Sequence, residues 1–492
     1  MTAHVVIIGG GFAGVSAARA LKNAPVRVTL IDRRVYNTFQ PLLYQVATGG
    51  LNPGDVTHFL RSLRVHQPNL DVVHEHLMEI DTDARTIRLL DGQELAYDYL
   101  LIATGVTTAY HGTPGAKENS FAVYSRSQAI AIRDTLFTRL EKAAAQPDRD
   151  RGLSVVVIGG GPTGVEMAGS LAELRDQGLA PAYPELQGGA FRITLVQRSE
   201  ILKPFLPKLR KYATEQLRKR HVEVRLGAGV EEVCPDSVRL SDGTVLPADL
   251  TIWATGVAPH EEVREWSLPL DGGNRIRVGE DLQVVGLPGV FAAGDVAIAP
   301  QDFPQLAQPA IQGGEHVARQ IRRLIDGQAT QSFSYYDKGQ LAIIGRRAAV
   351  GEVPGIANLP VLHYIGILQK VPFLRAIIPL TGFTAWSTWL FVHIASLLGP
   401  RNRLQVMVGL LARYGFRLHR TPVPIVGDVP AIRPAKAQRK KRADAAGAGA
   451  ASAGAASADA ASAGAAPADA PAAGTDAAAT TDATGAAGAA ES

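Results

Sequence analysis

Apolar residues along this chain fall in short unbroken blocks, each running into glycine or a polar turn. HVVIIGGG at 4–11, VRVTLID at 26–32, YLLIATG at 99–105, SVVVIGGG at 154–161, FRITLVQ at 191–197 and LTIWATG at 250–256 show the pattern. Such blocks alternate with helical stretches from residue 4 to about 330, which predicts α/β domains built on parallel sheets. From about 331 the character changes. Residues 361–398 are apolar and aromatic, and Ala376 to Leu398 contains no Asp, Glu, Lys or Arg. A basic stretch follows, with Arg401, Arg403, Arg413, Arg417 and Arg420, then prolines and the run KAQRKKR at 436–442. Residues 443–492 hold almost nothing but Ala, Gly, Ser, Thr, Pro and a few acids, so no large side chain offsets the entropy of ordering. Recurrent Gly and occasional Pro interrupt the alanine-rich helix that is the alternative, and disorder is expected there.

One block is written twice. VVIIGGGFAG at 5–14 and VVVIGGGPTG at 155–164 each join a strand of β-branched residues to G-x-G-x-x-G, through Gly9, Gly11 and Gly14 and through Gly159, Gly161 and Gly164. The first glycine makes a tight turn, the second admits a pyrophosphate to the backbone, and the third lets the helix pack on the strand. The diphosphate then rests on unpaired amides at the positive end of the helix. A second strand should end in an acid that holds the ribose hydroxyls. VRVTLID does, on Asp32, whereas FRITLVQ ends on Gln197 with Arg198 beside it. A neutral side chain next to a cation does not repel an extra phosphate, so this pocket either accepts NADPH as well as NADH or binds NADH with the acid simply replaced. Two dinucleotide sites suggest a relay between a resident cofactor and a visiting one. YLLIATG and LTIWATG look like the crossovers between the two domains, and FAAGDVA at 291–297 offers Asp295 to a flavin ribityl chain.

Composition narrows the field. At 492 residues the chain is long for one core, so two or three domains are expected. Lys and Arg number 50 against 46 Asp and Glu, and a formal charge of +4 gives no ground for a nucleic-acid partner. The single cysteine, Cys234, excludes an internal disulfide, a C-x-x-C pair and a cysteine-rich metal site; it reads as structural, and no metal is expected. No charged leader or apolar signal core precedes the first strand at about His4, which points to the cytoplasm.

The chain resembles the two-dinucleotide-binding-domain flavoproteins and, within them, the type II NADH:quinone oxidoreductases. The strings that carry the resemblance are GGGFAG, NTFQPLLYQVATGGL at 37–51, GGGPTGVEMAGSL at 159–171, AAGDVA, AQPAIQGG at 307–314, YYDKGQLAIIGRRAAV at 335–350 and GFTAWSTWLFVHIASLLGPRNRL at 382–404. The glycine strings are generic; QPLLYQVATG, AQ-x-A-x-Q and the aromatic C-terminal segment are specific. The resemblance implies two Rossmann-like domains in a glutathione-reductase-like arrangement, the second inserted in the first. Residues 1–115 and 262–335 would bind FAD and 116–261 NAD(P)H, with 336–425 a membrane-anchoring region and 426–492 a basic linker and tail. It also implies hydride transfer from NADH to FAD and electron transfer to a membrane quinone.

Site residues carry over position by position. The resemblance places Gly9, Gly11, Phe12, Ala13, Gly14, Asp32, Arg33, Gln40, Pro41, Leu42, Ala103, Thr104, Gly105, Gly294 and Asp295 around FAD. It places Gly159, Gly161, Pro162, Thr163, Gly164, Gln197, Arg198, Thr255 and Gly256 around the nicotinamide nucleotide. Glu166 would lie by nicotinamide and flavin and steer or relay protons. Gln308 and Gln312 match two glutamines of the family's quinone pocket, where uncharged amides bond quinone carbonyls without burying a charge. Pro309 suits a first helical turn, which sets Gln308 at the helix mouth. Lys338 would approach flavin or quinone, with an exposed lysine as the alternative, and His393 reads as packed rather than as a proton donor. Two departures stand out: Gln197 where many members carry an acid, and Gly313 where members commonly carry a second Gln. Cousins that reduce disulfides, sulfide or peroxide need cysteines that are absent here.

Membrane attachment is expected from 376–420. Ala376–Leu398 has the length of a spanning segment, weakened by Pro379, Gly382, Thr384, Ser387 and Thr388, with Trp386 and Trp389 suited to an interface. Leu404, Met407, Val408, Leu411, Tyr414 and Leu418 fall on one helical face, with Arg403, Arg413 and Arg417 on another, the layout of a helix lying on anionic lipid. A domain-packing or dimer helix is the alternative, which leaves a homodimer open. No row of intramembrane acids suggests proton pumping. The expectation is a monotopic enzyme on the cytoplasmic face of the cell membrane. A soluble reductase of a small redox protein, or an interaction protein that senses NADH like the apoptosis-inducing factors, are the other readings.

Overall fold

The computed structural model describes residues 2–145, 152–186, 190–355 and 376–414. The chain starts with strand β1 (Ala3–Ile8), helix α1 (Phe12–Ala20) and strand β2 (Val26–Asp32). A short helix α2 (Leu43–Ala47), strand β3 (Leu70–His74) and strand β4 (Tyr99–Ile102) follow. Val5, Val6 and Ile7 have no exposure at all, as strands covered on both faces require. The chain then leaves through a two-residue strand, β5 (Thr107–Thr108).

The same arrangement is then built again, from β6 (Phe121–Ala122), α3 (Arg126–Ala144), β7 (Leu153–Ile158), α4 (Pro162–Glu173), β8 (Phe191–Gln197), β9 (Val222–Leu226) and β10 (Leu250–Trp253). Its five strands run in the order β6-β10-β7-β8-β9, all pairs parallel. Helix α3 starts on a capping box in which Ser125 and Gln128 satisfy each other's free amides. The chain returns through β11 (Val257–Ala258), which pairs antiparallel with β5. The two crossovers therefore brace each other as a ribbon. Strand β12 (Val290–Ala292) then joins β4 and completes the first sheet, ordered β12-β4-β1-β2-β3. The strands of the second sheet thus lie, in sequence, inside the first.

Helix α5 (Ala307–Ile325) packs along α1, so closely that a Cβ on Gly314 would come within 2.1 Å of the Ala13 carbonyl oxygen. Beyond it, β13 (Gln340–Gly345), β14 (Ala348–Val353) and β15 (Ile378–Thr381) form an antiparallel sheet. Two helices follow, α6 (Gly382–Ser396) and α7 (Pro400–Tyr414).

This C-terminal region differs from the sequence expectation in three ways. Residues 376–398 are not one apolar rod: 378–381 enter a sheet, and the 15 residues of α6 extend about 22 Å, short of the ~30 Å apolar layer of a bilayer. Among the described residues no helix is long and apolar enough to cross a membrane. Trp386 and Trp389 face inward, 7% and 1% exposed, because the protein offers their large rings an apolar wall; Phe383 and Phe391 take the outer positions. Arg413 and Tyr414 also turn inward, Arg413 to an ion pair with Glu173 that fixes α7 to the body of the protein. Leu404, Met407, Val408 and Leu411 do share an exposed face, opposite the buried Asn402, Val406 and Leu410. The expected disorder of the Ala/Gly-rich tail, the basic run at 436–442, and Arg417, Leu418 and Arg420 lie outside the described residues.

Candidate functional site

The two glycine turns are near copies in their contacts. Gly9 and Gly159 have φ of 105° and 111°, a left-handed region open to glycine, and a Cβ on either would lie 2.3 Å from a crossover carbonyl, that of Ala103 or Ala254. A Cβ on Gly14 or Gly164 would lie 1.8 Å from the carbonyl oxygen of Gly9 or Gly159. Gly11 and Gly161, by contrast, face open space, with nothing within 4 Å of the Cβ position. Each turn therefore presses strand, helix and crossover together and leaves one face clear in front of the helix N-terminus.

The second-strand residues do matching work. Gly10 donates its amide to Asp32 Oδ2 at 2.6 Å, and Gly160 donates to Gln197 Oε1 at 2.9 Å. The Arg34 amide holds Asp32 Oδ1 at 2.6 Å, while Gln197 Nε2 donates to the Ser199 hydroxyl at 3.1 Å. Gln197 thus keeps the acid's structural bond without its charge. Arg198 is exposed beside it. Pro162 and Thr163 open α4 and are exposed at the second turn, with Thr255 and Gly256 at the end of the facing crossover.

In front of the first turn lies a cleft of about 1290 Å³, counted out to its open mouth. Its lining draws on the first turn, on Asp32 and Arg33 at the end of β2, and on Gly294 and Asp295 after β12. Gly9, Gly11, Phe12, Ala13, Asp32, Arg33, Gln40, Ala103, Thr104, Gly105, Gly294 and Asp295 all line it; Pro41 and Leu42 do not, and Leu42 is core. Among the described residues Gln40 Oε1 and Thr104 Oγ1 are buried with no hydrogen-bond partner, and burial acts on the Asp295 carboxyl with no donor to offset it. Burial pushes that carboxyl up to about 7. Unpaired acceptors around an extended cleft fit the hydroxyls and ring amides of FAD.

Several lining groups carry no signal in the sequence. Asn37 is buried and donates to the Gly10 carbonyl oxygen at 2.7 Å, and Tyr124, Ser125 and Gln128 reach the cleft from the start of α3 and the segment that joins it to β6. His260 and Glu262, on the returning crossover, approach Arg33 at 3.2 Å and 3.8 Å.

The other expected site residues are not gathered at this cleft. Gln308 stands in the first turn of α5 with its Oε1 buried and, among the described residues, unpaired, two residues before Ala310, which lines the cleft. Gln312, one turn on, is fully engaged: its Nε2 donates to the Tyr336 carbonyl oxygen at 2.9 Å and its Oε1 accepts the Tyr336 amide at 3.0 Å. It holds the loop that carries Lys338, which is exposed and without an ion pair among the described residues. His393 is packed, stacked on Trp389 with ring centroids 4.0 Å apart, and burial lowers it to about 4. Ring contacts run from Phe12 in the cleft wall to Phe39 and on to His393, so α6 abuts the cleft. Cys234 is a free thiol in the turn after Val233.

Glu166 is 7% exposed on α4, and its Oε1 accepts from the Ile343 amide at 3.3 Å and from Trp389 Nε1 at 3.2 Å. Burial raises its carboxyl to about 8 against the pull of those two donors.

A family model described as pyridine nucleotide-disulphide oxidoreductase matches residues 3–314. Two Mycobacterium tuberculosis proteins, type II NADH:quinone oxidoreductases Ndh and NdhA, are 33% and 34% identical over 82% of this chain, and the matches cover 86% and 85% of those proteins. The structure of NDH2 from Plasmodium falciparum in complex with NADH superposes with a TM-score of 0.75 over 87% of this chain and all of that one, at 20% identity. A sulfide:quinone oxidoreductase from Aquifex aeolicus shares the fold at a TM-score of 0.65 and 21% identity, over 84% of this chain and 96% of that one.

The raised Glu166 carboxyl makes a stability prediction. Its folded value, about 8, lies above the unfolded 4.5, so the stability it contributes is complete below pH 4.5 and is lost as pH rises to about 8. Glu166→Gln, neutral throughout, is expected to match the parent near pH 4.5 and to exceed it above pH 8, with the gap growing by up to about 1.4 kcal/mol per unit crossed. Urea midpoints at the two pH values measure it.

Proposed function

We infer the reaction from one premise: the chain belongs to the type II NADH:quinone oxidoreductases, within the pyridine nucleotide-disulphide oxidoreductases. It is an FAD-dependent enzyme that oxidises NADH and reduces a quinone. The overall reaction, NADH + H⁺ + quinone → NAD⁺ + quinol, moves two electrons and two protons to the quinone. When bound, FAD supplies the chemistry of accepting a hydride and releasing its electrons to a second acceptor. The doubled cradle is the observation that carries this reading, since one chain then holds a resident and an exchanging dinucleotide.

The remaining assignments are proposals for this chain's own residues. Gly9, Gly11 and the α1 N-terminus hold the FAD diphosphate, Asp32 the adenosine ribose, and Asp295 the ribityl hydroxyls. Gly159, Gly161 and the α4 N-terminus hold NADH, with Gln197 and Arg198 at its ribose. Gln308 donates its Nε2–H to a quinone carbonyl while its Oε1 is left to accept a hydroxyl, Gln312 frames the neighbouring loop, and Glu166 exchanges a proton with the reaction. Lys338 supplies a cation toward the flavin or the quinone. The exposed side chains Phe383, Phe391, Leu404, Met407, Val408 and Leu411 lie in the bilayer surface with Arg401 and Arg403 toward anionic lipid, on the cytoplasmic face. Such an enzyme meets its quinone in the membrane without spanning it.

Anaerobic titration tests the reaction. NADH should bleach the flavin band stoichiometrically and added quinone should restore it; a protein that binds no flavin, or whose reduced flavin ignores quinone, refutes the reading. Gln197→Glu should keep its bond to Gly160 and lower kcat/KM for NADPH roughly tenfold more than for NADH, about 1.4 kcal/mol of charge repulsion; equal effects exclude a role in discrimination. Combining Phe391→Glu, Leu404→Glu and Val408→Glu should reduce partition onto anionic vesicles by at least roughly tenfold, since each exposed side chain contributes on the order of 1 kcal/mol of apolar burial, while flavin content stays the same.

A further inference from the structure

Helix α4 begins at the second dinucleotide cradle and buries two carboxylates, Glu166 and Glu173, seven residues apart and so on one face. Each is clasped by a different C-terminal helix. Trp389 of α6 donates to Glu166, and Arg413 of α7 approaches Glu173 through Nε at 3.2 Å and Nη2 at 3.1 Å while Nη1 donates to Gln45 at 2.8 Å. The helices that carry the exposed apolar surface are thus bonded directly to the helix that forms the cradle.

The contact at Glu166 is asymmetric. Both of its donors, the Ile343 amide and the Trp389 indole, fall on Oε1, and among the described residues Oε2 has no hydrogen-bond partner. The indole is immobilised: His393 stacks on it with 19° between planes, His393 Nδ1 lies 2.8 Å from the Trp389 carbonyl oxygen, and Tyr44 meets it edge-on at 6.2 Å. Nor is the bond simply the fate of any buried indole on this helix, because Trp386 keeps its Nε1 buried with no partner among the described residues.

We propose that Trp389 is a positioning residue for Glu166: its N–H occupies Oε1, confines the exchangeable proton to Oε2, and ties the proton affinity of the site to the seating of α6. This rests on the proposed role of Glu166 in quinone reduction. In each turnover the hydride carries one proton and two electrons, the Glu166 Oε2–H bond breaks as an O–H bond of the quinol forms, and a solvent proton restores the carboxyl. Among the described residues Tyr44 on α2 is the titratable group that interacts with Glu166, His393 on α6 reaches it through Trp389, Arg413 and Tyr414 on α7 face Glu173 seven residues further along its own helix, and β13 contributes a backbone amide. Trp389 is not one of these titratable groups: it is bonded to the carboxyl and can be altered without adding or removing a charge.

The test uses the flavin-loaded full chain. The Glu166 carboxyl is followed by its infrared C=O band, identified by its loss in Glu166→Gln, and the quinone-dependent rate by its pH profile. Trp389→Phe, which keeps a ring and deletes the N–H, should raise both midpoints by roughly one pH unit, the size of one hydrogen bond to a charged group. Trp389→Gln, which restores an N–H donor, should bring them part of the way back. A Trp389→Phe protein with wild-type midpoints, or with a rate lowered equally at every pH, overturns the proposal. Wild-type protein with ¹⁵N-labelled indoles needs no substitution at 389: one of its four tryptophan resonances should move with the Glu166 titration and stand still in Glu166→Gln, and four static resonances overturn the proposal. Should Glu166→Gln reduce quinone at the full rate, the catalytic role of Glu166 fails, while the infrared and indole titrations still decide whether Trp389 sets its proton affinity.

Discussion

The molecule depends on backbone meeting backbone at two glycine turns. At Gly14 and Gly164 the helix comes so near the turn that no Cβ fits, and at Gly9 and Gly159 the crossover closes from the other side. This packing aims the free amides of a helix N-terminus at open space in front of Gly11 or Gly161, which is what a diphosphate needs. Parallel sheets bring their binding edges to the carboxyl ends of the strands, so a copy of the same turn on each sheet yields two cradles from one device. The ribbon formed by Thr107–Thr108 and Val257–Ala258 links the two sheets at the crossovers that close those cradles.

The C-terminal region adds what the cradles lack. An antiparallel sheet and two helices pack on α4, and polar contacts that hold them include Trp389 to Glu166, Arg413 to Glu173 and Gln45, Asn402 to the Thr57 carbonyl oxygen, and Arg346 to the Tyr414 carbonyl oxygen. A buried ion pair such as Arg413–Glu173 is weak evidence for stability, because desolvation offsets much of the attraction. Its geometry nevertheless fixes where α7 ends, with the buried Val406 and Leu410 facing the protein and Leu404, Met407, Val408 and Leu411 facing away. An amphipathic helix held in this way presents a surface, whereas a free one would bury its apolar face wherever it could.

Much of this was legible beforehand. The strand blocks, the doubled turn, Asp32 at a strand end and the apolar stripe of α7 are local patterns, and local patterns report backbone conformation directly. The inward turn of Trp386, Trp389 and Arg413 was not legible, because interfacial and buried aromatic residues look alike until a neighbour is known, and an arginine declares itself buried only once Glu173 and Gln45 are placed around it. Gln312 was legible as a polar helix residue, but its engagement with Tyr336 joins positions 24 apart and has no signature in either segment. The contribution of Asn37, and the approach of His260 and Glu262 to Arg33, belong to the same class.

By itself the sequence determined the fold class, the existence of two dinucleotide cradles and the amphipathic character of the last helix. Each of these depends on which residue types stand a few positions apart, and chain geometry then leaves little choice. Tertiary structure alone decided which polar groups remain free among the described residues: Gln308 Oε1 unpaired and Gln312 engaged, the Asp295 carboxyl buried without a donor, Glu166 bonded on one oxygen and open on the other. A hydrogen bond across a packed interface depends on the shape of both partners, and that shape exists only once distant segments have met.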